Sequence, residues 1–161
     1  MNVKHGVKIK PLIVSVALPL LVGGLAAFLT RDGMHMFALL KKPPLTPPGW
    51  VFPVAWTLLY IMMGLASYYV WTSPVSAARK ERALTVYAMQ LGANLLWTLI
   101  FFLLEMYLAA FLWLVLLWLL IAACTLLFHY ISGKAGKLML PYLVWTAFAG
   151  YLNMGIWLLN R

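Results

Sequence analysis

Three stretches of the sequence place aromatic and amide side chains at helical spacing inside runs that are otherwise apolar. Trp56, Tyr60, Met63 and Ser67 fall at i, i+4, i+7 and i+11; Gln90, Asn94, Trp97 and Phe101 repeat that spacing; Trp145, Ala149 and Asn153 fall at i, i+4 and i+8. On a helix each set shares one face. Such faces have two uses. Amides in apolar helices bridge neighbouring helices by hydrogen bonds, and Met and aromatic side chains around a few amides form a pocket for a large hydrophobic molecule. Trp50, Trp71 and Trp157 stand at the ends of their apolar runs, where tryptophan anchors a helix in the membrane interface. Trp56, Trp97 and Trp145 stand a turn or two further in, where an aromatic wall for a flat apolar ligand competes with anchoring.

Other chemistry is poorly represented. The chain has no Ser-His-Asp set, no HExxH and no glycine loop of the phosphate-cradling kind. Its acids are Asp32, Glu81 and Glu105, and no charged side chain falls near the middle of an apolar run, which disfavours a proton-driven pump. His5, His35 and His129 read as tail, loop and helix-end residues rather than haem ligands. Cys124 is the only cysteine, so no intrachain disulfide forms. Neither a hydrolytic centre nor a metal site is expected.

The elements that position the aromatic faces follow from composition. The 161 residues are 65% hydrophobic and only 9% charged, against about 25% charged in a soluble domain. The expected fold is an all-α integral membrane bundle, a single domain over residues 1–161. A spanning helix needs roughly 20 apolar residues, and the charged breaks leave five such runs: Pro11–Leu29, Trp50–Trp71, Ala83–Leu104, Tyr107–Ile131 and Leu138–Leu159. The first has the basic start of a signal peptide, but its apolar run is too long for one and it is read as a retained span. Glu105 lies in a turn so short that the third and fourth spans must form an antiparallel hairpin.

The net charge of +9 suits anionic lipid headgroups. Nucleic acid is not an expected partner, because the cations form no stripe. With five spans, Lys4, Lys8, Lys10, Arg79, Lys80, Arg82, Lys134 and Lys137 share one side, and Arg31, Lys41, Lys42 and Arg161 the other. Eight against four predicts a cytoplasmic N-terminus.

Between the first two spans lies KKPPLTPPGWVFPVAW, residues 41–56. Pro43, Pro44, Pro47 and Pro48 each fix φ and bias the preceding residue toward extended backbone, so residues 42–49 are expected to form a polyproline-like strap. Either the prolines punctuate two helices or they hold a lid, with Trp50, over a cavity mouth. In the first span, Gly23 and Ala27 have the small-xxx-small spacing, which permits close helix approach or leaves room for a ligand.

The motifs KPPLTPPGWVFPVAWTLLYIMMGLASYYVW, QLGANLLWTLIFF and PYLVWTAFAGYLNMGIW, in this order and spacing, closely resemble the translocator protein family, also called tryptophan-rich sensory proteins or peripheral-type benzodiazepine receptors. The resemblance runs from about residue 36 to 157 and points to a bacterial-type member. It implies a five-helix bundle, a homodimer in the lipid bilayer, and a pocket beneath the loop between the first two spans. Porphyrins and other tetrapyrroles, sterols and synthetic benzodiazepine-type ligands are the family's ligands, which implies a protoporphyrin-like ligand and no obligatory cofactor here. Trp56, Asn94, Trp97, Trp145, Phe148 and Ala149 would line or support the pocket, joined by Tyr60 from the helical face. Some members promote light-dependent porphyrin breakdown, in which Trp56 and Trp145 would pass electrons or radicals to the excited ligand. Two departures stand out. The family's aromatic residues in the loop are replaced by Met36-Phe37 and Pro44-Leu45, which implies a partial loss of aromatic lid contact, and Met154 and Leu158 replace the Tyr and Arg of the animal sterol pattern, leaving a sterol-like ligand without that support.

Overall fold

A computed structural model describes residues 7–161. Lys4 and His5 lie outside the described residues. Among the described residues six helices follow one another: α1 (Ile9–Leu29), α2 (Gly33–Leu39), α3 (Val51–Trp71), α4 (Ala77–Phe102), α5 (Tyr107–Ile131) and α6 (Gly133–Asn160). All but α2 are long and apolar enough to cross a membrane, and the protein is a multi-pass, all-α membrane protein. Around the bundle α1 packs on α3, α3 on α6, α6 on α5, α5 on α4, and α4 returns to α1, while α2 rests on α4.

Hydropathy alone cannot orient these helices, because lipid and protein interior are both apolar. Burial does so. In α5 the inward residues Ala110, Leu114, Leu117, Ile121, Cys124 and Phe128 follow the alternating four-and-three spacing of a helix seam, and Leu112, Val115, Leu116, Leu119 and Leu126 face outward. At Gly64 the backbones of α1 and α3 come close together. A Cβ there would lie 2.6 Å from Val16 Cα and 2.7 Å from the Ser15 carbonyl oxygen. Pro19, inside α1, deprives that same carbonyl of its intrahelical donor, which leaves it facing α3.

Three expectations are corrected. Residues 77–82 and 133–137 are helical, not loop, so Arg79, Lys80, Arg82, Lys134 and Lys137 lie on the first turns of α4 and α6. Hydropathy marks where the membrane ends, whereas a helix continues as long as its backbone hydrogen bonds do. Ser132 alone separates α5 from α6; its N–H donates to Phe128 O at 2.8 Å, and its Oγ accepts from the Ala135 N–H at 3.4 Å.

Second, the connection from α1 to α3 contains a helix, α2, ahead of the proline segment. Its Gly33 lies so close to Phe102 that a Cβ would meet the backbone there.

Third, residues 42–49 are not one extended strap. They turn at Pro44–Leu45, where Leu45 has φ 66°, and Thr46 Oγ1 donates to Pro43 O at 2.6 Å. Proline at the second position of a turn followed by positive φ is the type II pattern; Leu in place of Gly at that third position costs about 1–2 kcal/mol. The side-chain bond from Thr46 and contacts with α6 hold the turn in place.

Candidate functional site

A cavity of about 320 Å³ opens at the α2 end of the bundle, between α1, α3, α4 and α6. Helix α3 contributes Phe52, Trp56 and Tyr60 on successive turns; α4 contributes Trp97 and Phe101; α6 contributes Trp145, Phe148, Ala149 and Asn153. The side facing α1 is smooth, formed by Gly23, Ala26 and Ala27. A Cβ on Gly23 would collide with the Tyr60 ring. The Gly23–Ala27 spacing serves both uses, since Gly23 lets the Tyr60 ring approach α1 closely while Ala26 and Ala27 leave space beside the aromatic wall. Helix α2 closes the top with Met34 and Phe37.

The rings contact one another. Trp56 lies 5.7 Å from Tyr60, 6.1 Å from Trp97 and 6.1 Å from Tyr142, centroid to centroid, and Trp145 lies 5.7 Å from Phe148 and 6.3 Å from Phe52. These separations suit tilted and edge-to-face packing. Hydrogen bonds fix the orientations: Trp97 Nε1 donates to Asn153 Oδ1 at 3.2 Å, and Asn153 Nδ2 donates to Tyr107 O at 2.7 Å.

Asn94 does not line the cavity. It lies below, 1% exposed, donating through Nδ2 to Tyr142 Oη at 3.0 Å and Tyr60 Oη at 3.5 Å. Tyr142 in turn donates to Gln90 Oε1 at 2.9 Å. This network forms the floor, in which Asn94 Oδ1 is buried without a partner. Both uses proposed for the amide faces are therefore present, with Asn94 and Gln90 bridging helices and the tryptophans forming a wall.

Most polar groups around the cavity are satisfied internally; Thr30 and Thr98, for example, donate to Ala26 O and Asn94 O. Trp145 is an exception, because its Nε1 is buried without an acceptor. An orphan buried donor costs about 1–3 kcal/mol. No side chain lining the cavity is charged, and among the described residues no three of His, Cys, Asp and Glu cluster as metal ligands.

The proline segment occupies a different place from the cavity wall. Pro43, Pro44, Pro47 and Pro48 do not line the cavity, and Trp50 is 69% exposed; the neighbouring Gly49 does reach it. The segment is tied instead to the end of α6. Lys41 N donates to Asn160 Oδ1 at 3.0 Å while Asn160 Nδ2 donates to Lys41 O at 2.9 Å, Tyr151 Oη donates to Pro44 O at 2.8 Å, and Pro43 packs over Gly155.

Phe52 and Phe37 are among the lining residues that helical spacing and the resemblance do not single out. Phe52 lies one turn before Trp56, and extending the Trp56–Tyr60 face toward the N-terminus would have found it. Phe37 had no such signal. It preserves aromatic contact at the mouth, 5.8 Å from Phe52 and from Phe102. Met154 and Leu158 lie elsewhere, along a groove between α5 and α6.

Fold and cavity together define a multi-pass membrane protein that encloses an uncharged aromatic chamber at one end of a five-span bundle. Residues 15–158 match the TspO/MBR family, and the chain belongs to it. It is similar to Protein CrtK of Rhodobacter capsulatus, with 41% identity covering 75% of this chain and 76% of that protein. Tryptophan-rich protein TspO of Archaeoglobus fulgidus is 36% identical, covering 92% and 96%, and the translocator protein of Bos taurus 39%, covering 89% and 86%. Membership supports a ligand-binding or transport role.

Proposed function

We propose that the protein binds porphyrins and related flat tetrapyrroles in the aromatic cavity, as a sensor, scavenger or carrier of such molecules. The observation that carries this reading is the uncharged aromatic wall of the chamber. Such rings stack on the faces of a flat apolar body. Drug-sized ligands fill cavities of roughly 300–1,000 Å³, and this one lies near the lower bound. A macrocycle is larger, so binding it moves α2 or leaves one edge of the ring at the mouth.

Titration of the purified protein with protoporphyrin IX, read by tryptophan quenching, tests the proposal. Ala149→Leu should weaken binding about tenfold with little change in thermal stability, because a cavity wall accepts volume that a packed core does not. Unchanged affinity in the folded variant would remove the ligand from this cavity.

A second reading, light-dependent porphyrin breakdown, is favoured by the placement of both Trp56 and Trp145 in the wall. It requires a new pigment product after illumination, lost in Trp56→Phe or Trp145→Phe. Bacterial-type membership and a homodimer in the bilayer belong to the same proposal, the latter tested by cross-linking in native membranes. So does a cytoplasmic N-terminus, which predicts that an external thiol reagent labels a cysteine at Leu45 and spares one at Ala78.

A further inference from the structure

The cavity does not end at α2. Met34, Phe37 and Gly49 line the aromatic chamber on one side and a second hollow beside the proline segment on the other. Space around Gly49 is open where a Cβ would stand, so no side chain of that residue divides the two. Among the described residues, Lys42 is the single charged residue lining either space. Its ammonium lies at the exposed edge of the second hollow, folded back over α2. Nζ donates to Ala38 O at 3.0 Å and lies 5.1 Å from the centroid of the Phe37 ring, on the partition between the hollows. An ammonium has three donors, and one is used here. Among the described residues the one ion pair is Arg31 with Asp32, so Lys42 has no carboxylate partner in the protein.

An ionised carboxylate would lose several kcal/mol on entering an uncharged apolar chamber. An amphipathic acid can therefore enter body first only if its acidic end stays outside, and a cation at the doorway gives that end a charge-assisted hydrogen bond. From this geometry we propose that Lys42 is a specificity-determining residue. It receives the carboxylate of a ligand whose flat apolar body fills the aromatic chamber, and thereby selects amphipathic acids over neutral molecules of the same shape. The inference rests on the aromatic cavity being the ligand site.

The test compares protoporphyrin IX with its dimethyl ester, which has the same macrocycle and no ionisable tail, in a nonionic detergent without anionic lipid. Lys42→Gln should weaken binding of the free acid about tenfold and of the ester by no more than about twofold. Lys42→Arg should restore most of the loss, and Lys41→Gln should leave both probes unchanged. Added salt should weaken the acid with the parent protein and have little effect with Lys42→Gln. Undiminished binding of the acid by Lys42→Gln overturns the assignment while leaving the chamber intact as a site. Equal losses for acid and ester also overturn it, by showing that Lys42 acts only through α2. If the parent binds neither probe, the cavity reading fails and this assignment with it.

Discussion

The two ends of the bundle are built from the same helices and packed in opposite ways. Away from α2, Met63, Ala66, Val70, Ala83, Tyr87, Cys124, Phe128 and Met139 are each at most 3% exposed, and α1 touches α3 backbone to backbone at Gly64. Toward α2, the same helices enclose the chamber, with Gly23 seated against the Tyr60 ring and Ala26 and Ala27 lining the space beside Trp56. The Asn94–Tyr142–Gln90 network lies between the two regimes. One end secures the fold so that the other can keep a space, and the polar floor keeps the space from collapsing downward.

That contrast breaks first at Gly64. Gly64→Leu puts a side chain against the α1 backbone, which cannot rotate away, and should cost about 3 kcal/mol or more, seen as a large fall in thermal midpoint in detergent. Gly24→Leu is the matched control, since nothing lies within 4 Å of a Cβ there, and should change stability by about 0.5 kcal/mol or less. If the two variants unfold alike, the close α1–α3 contact is not what secures that end.

The floor should respond less, and differently. Tyr142→Phe keeps the ring against Trp56 but removes the hydroxyl that joins Asn94 to Gln90. Hydrogen bonds between membrane helices contribute about 1–2 kcal/mol at most. The expected result is a fall in thermal midpoint smaller than that of Gly64→Leu, with porphyrin affinity changed by no more than about threefold, because the side chain does not line the chamber. A large affinity loss without a stability loss would place Tyr142 in the ligand site and erase the distinction between floor and wall.

The five spans and the three aromatic faces were legible because a membrane helix is announced by length and apolarity, and a shared face by a spacing of three or four. Trp56, Tyr60, Trp97, Trp145 and Ala149 all reach the chamber for that reason. Asn94 is the counter-example. Periodicity puts it on the right face, but whether it meets the ligand space or lies beneath it depends on how far the helices diverge. Helix α2 was illegible for another reason: seven residues are too few to show a period, and its place is fixed by Phe37 packing on Phe52, Phe101 and Phe102, partners distant in sequence. The charged first turns of α4 and α6 were misread because hydropathy changes at the membrane boundary while the helix does not.

The smallest expected effect concerns the proline segment and distinguishes stiffness from attachment. Four prolines reduce the entropy the segment loses on ordering, yet a turn at Pro44–Leu45 interrupts it, and three points on α6 hold it. Asn160 is the most informative of them, because its side chain closes a reciprocal pair with the Lys41 backbone at an exposed site. Asn160→Ala removes both bonds, together with an intrahelical one to Ile156 O, leaves every chamber-lining side chain and the prolines in place, and frees the end of the segment that continues from α2. Exposed hydrogen bonds are worth about 0.5–1.5 kcal/mol each at most, and part of that is recovered from water, so release of bound porphyrin should accelerate about three- to tenfold with little change in association. Stopped-flow release in one detergent measures it directly. A rate equal to the parent's would mean that the prolines alone hold the mouth, and the attachment to α6 would then be a contact without influence on the chamber.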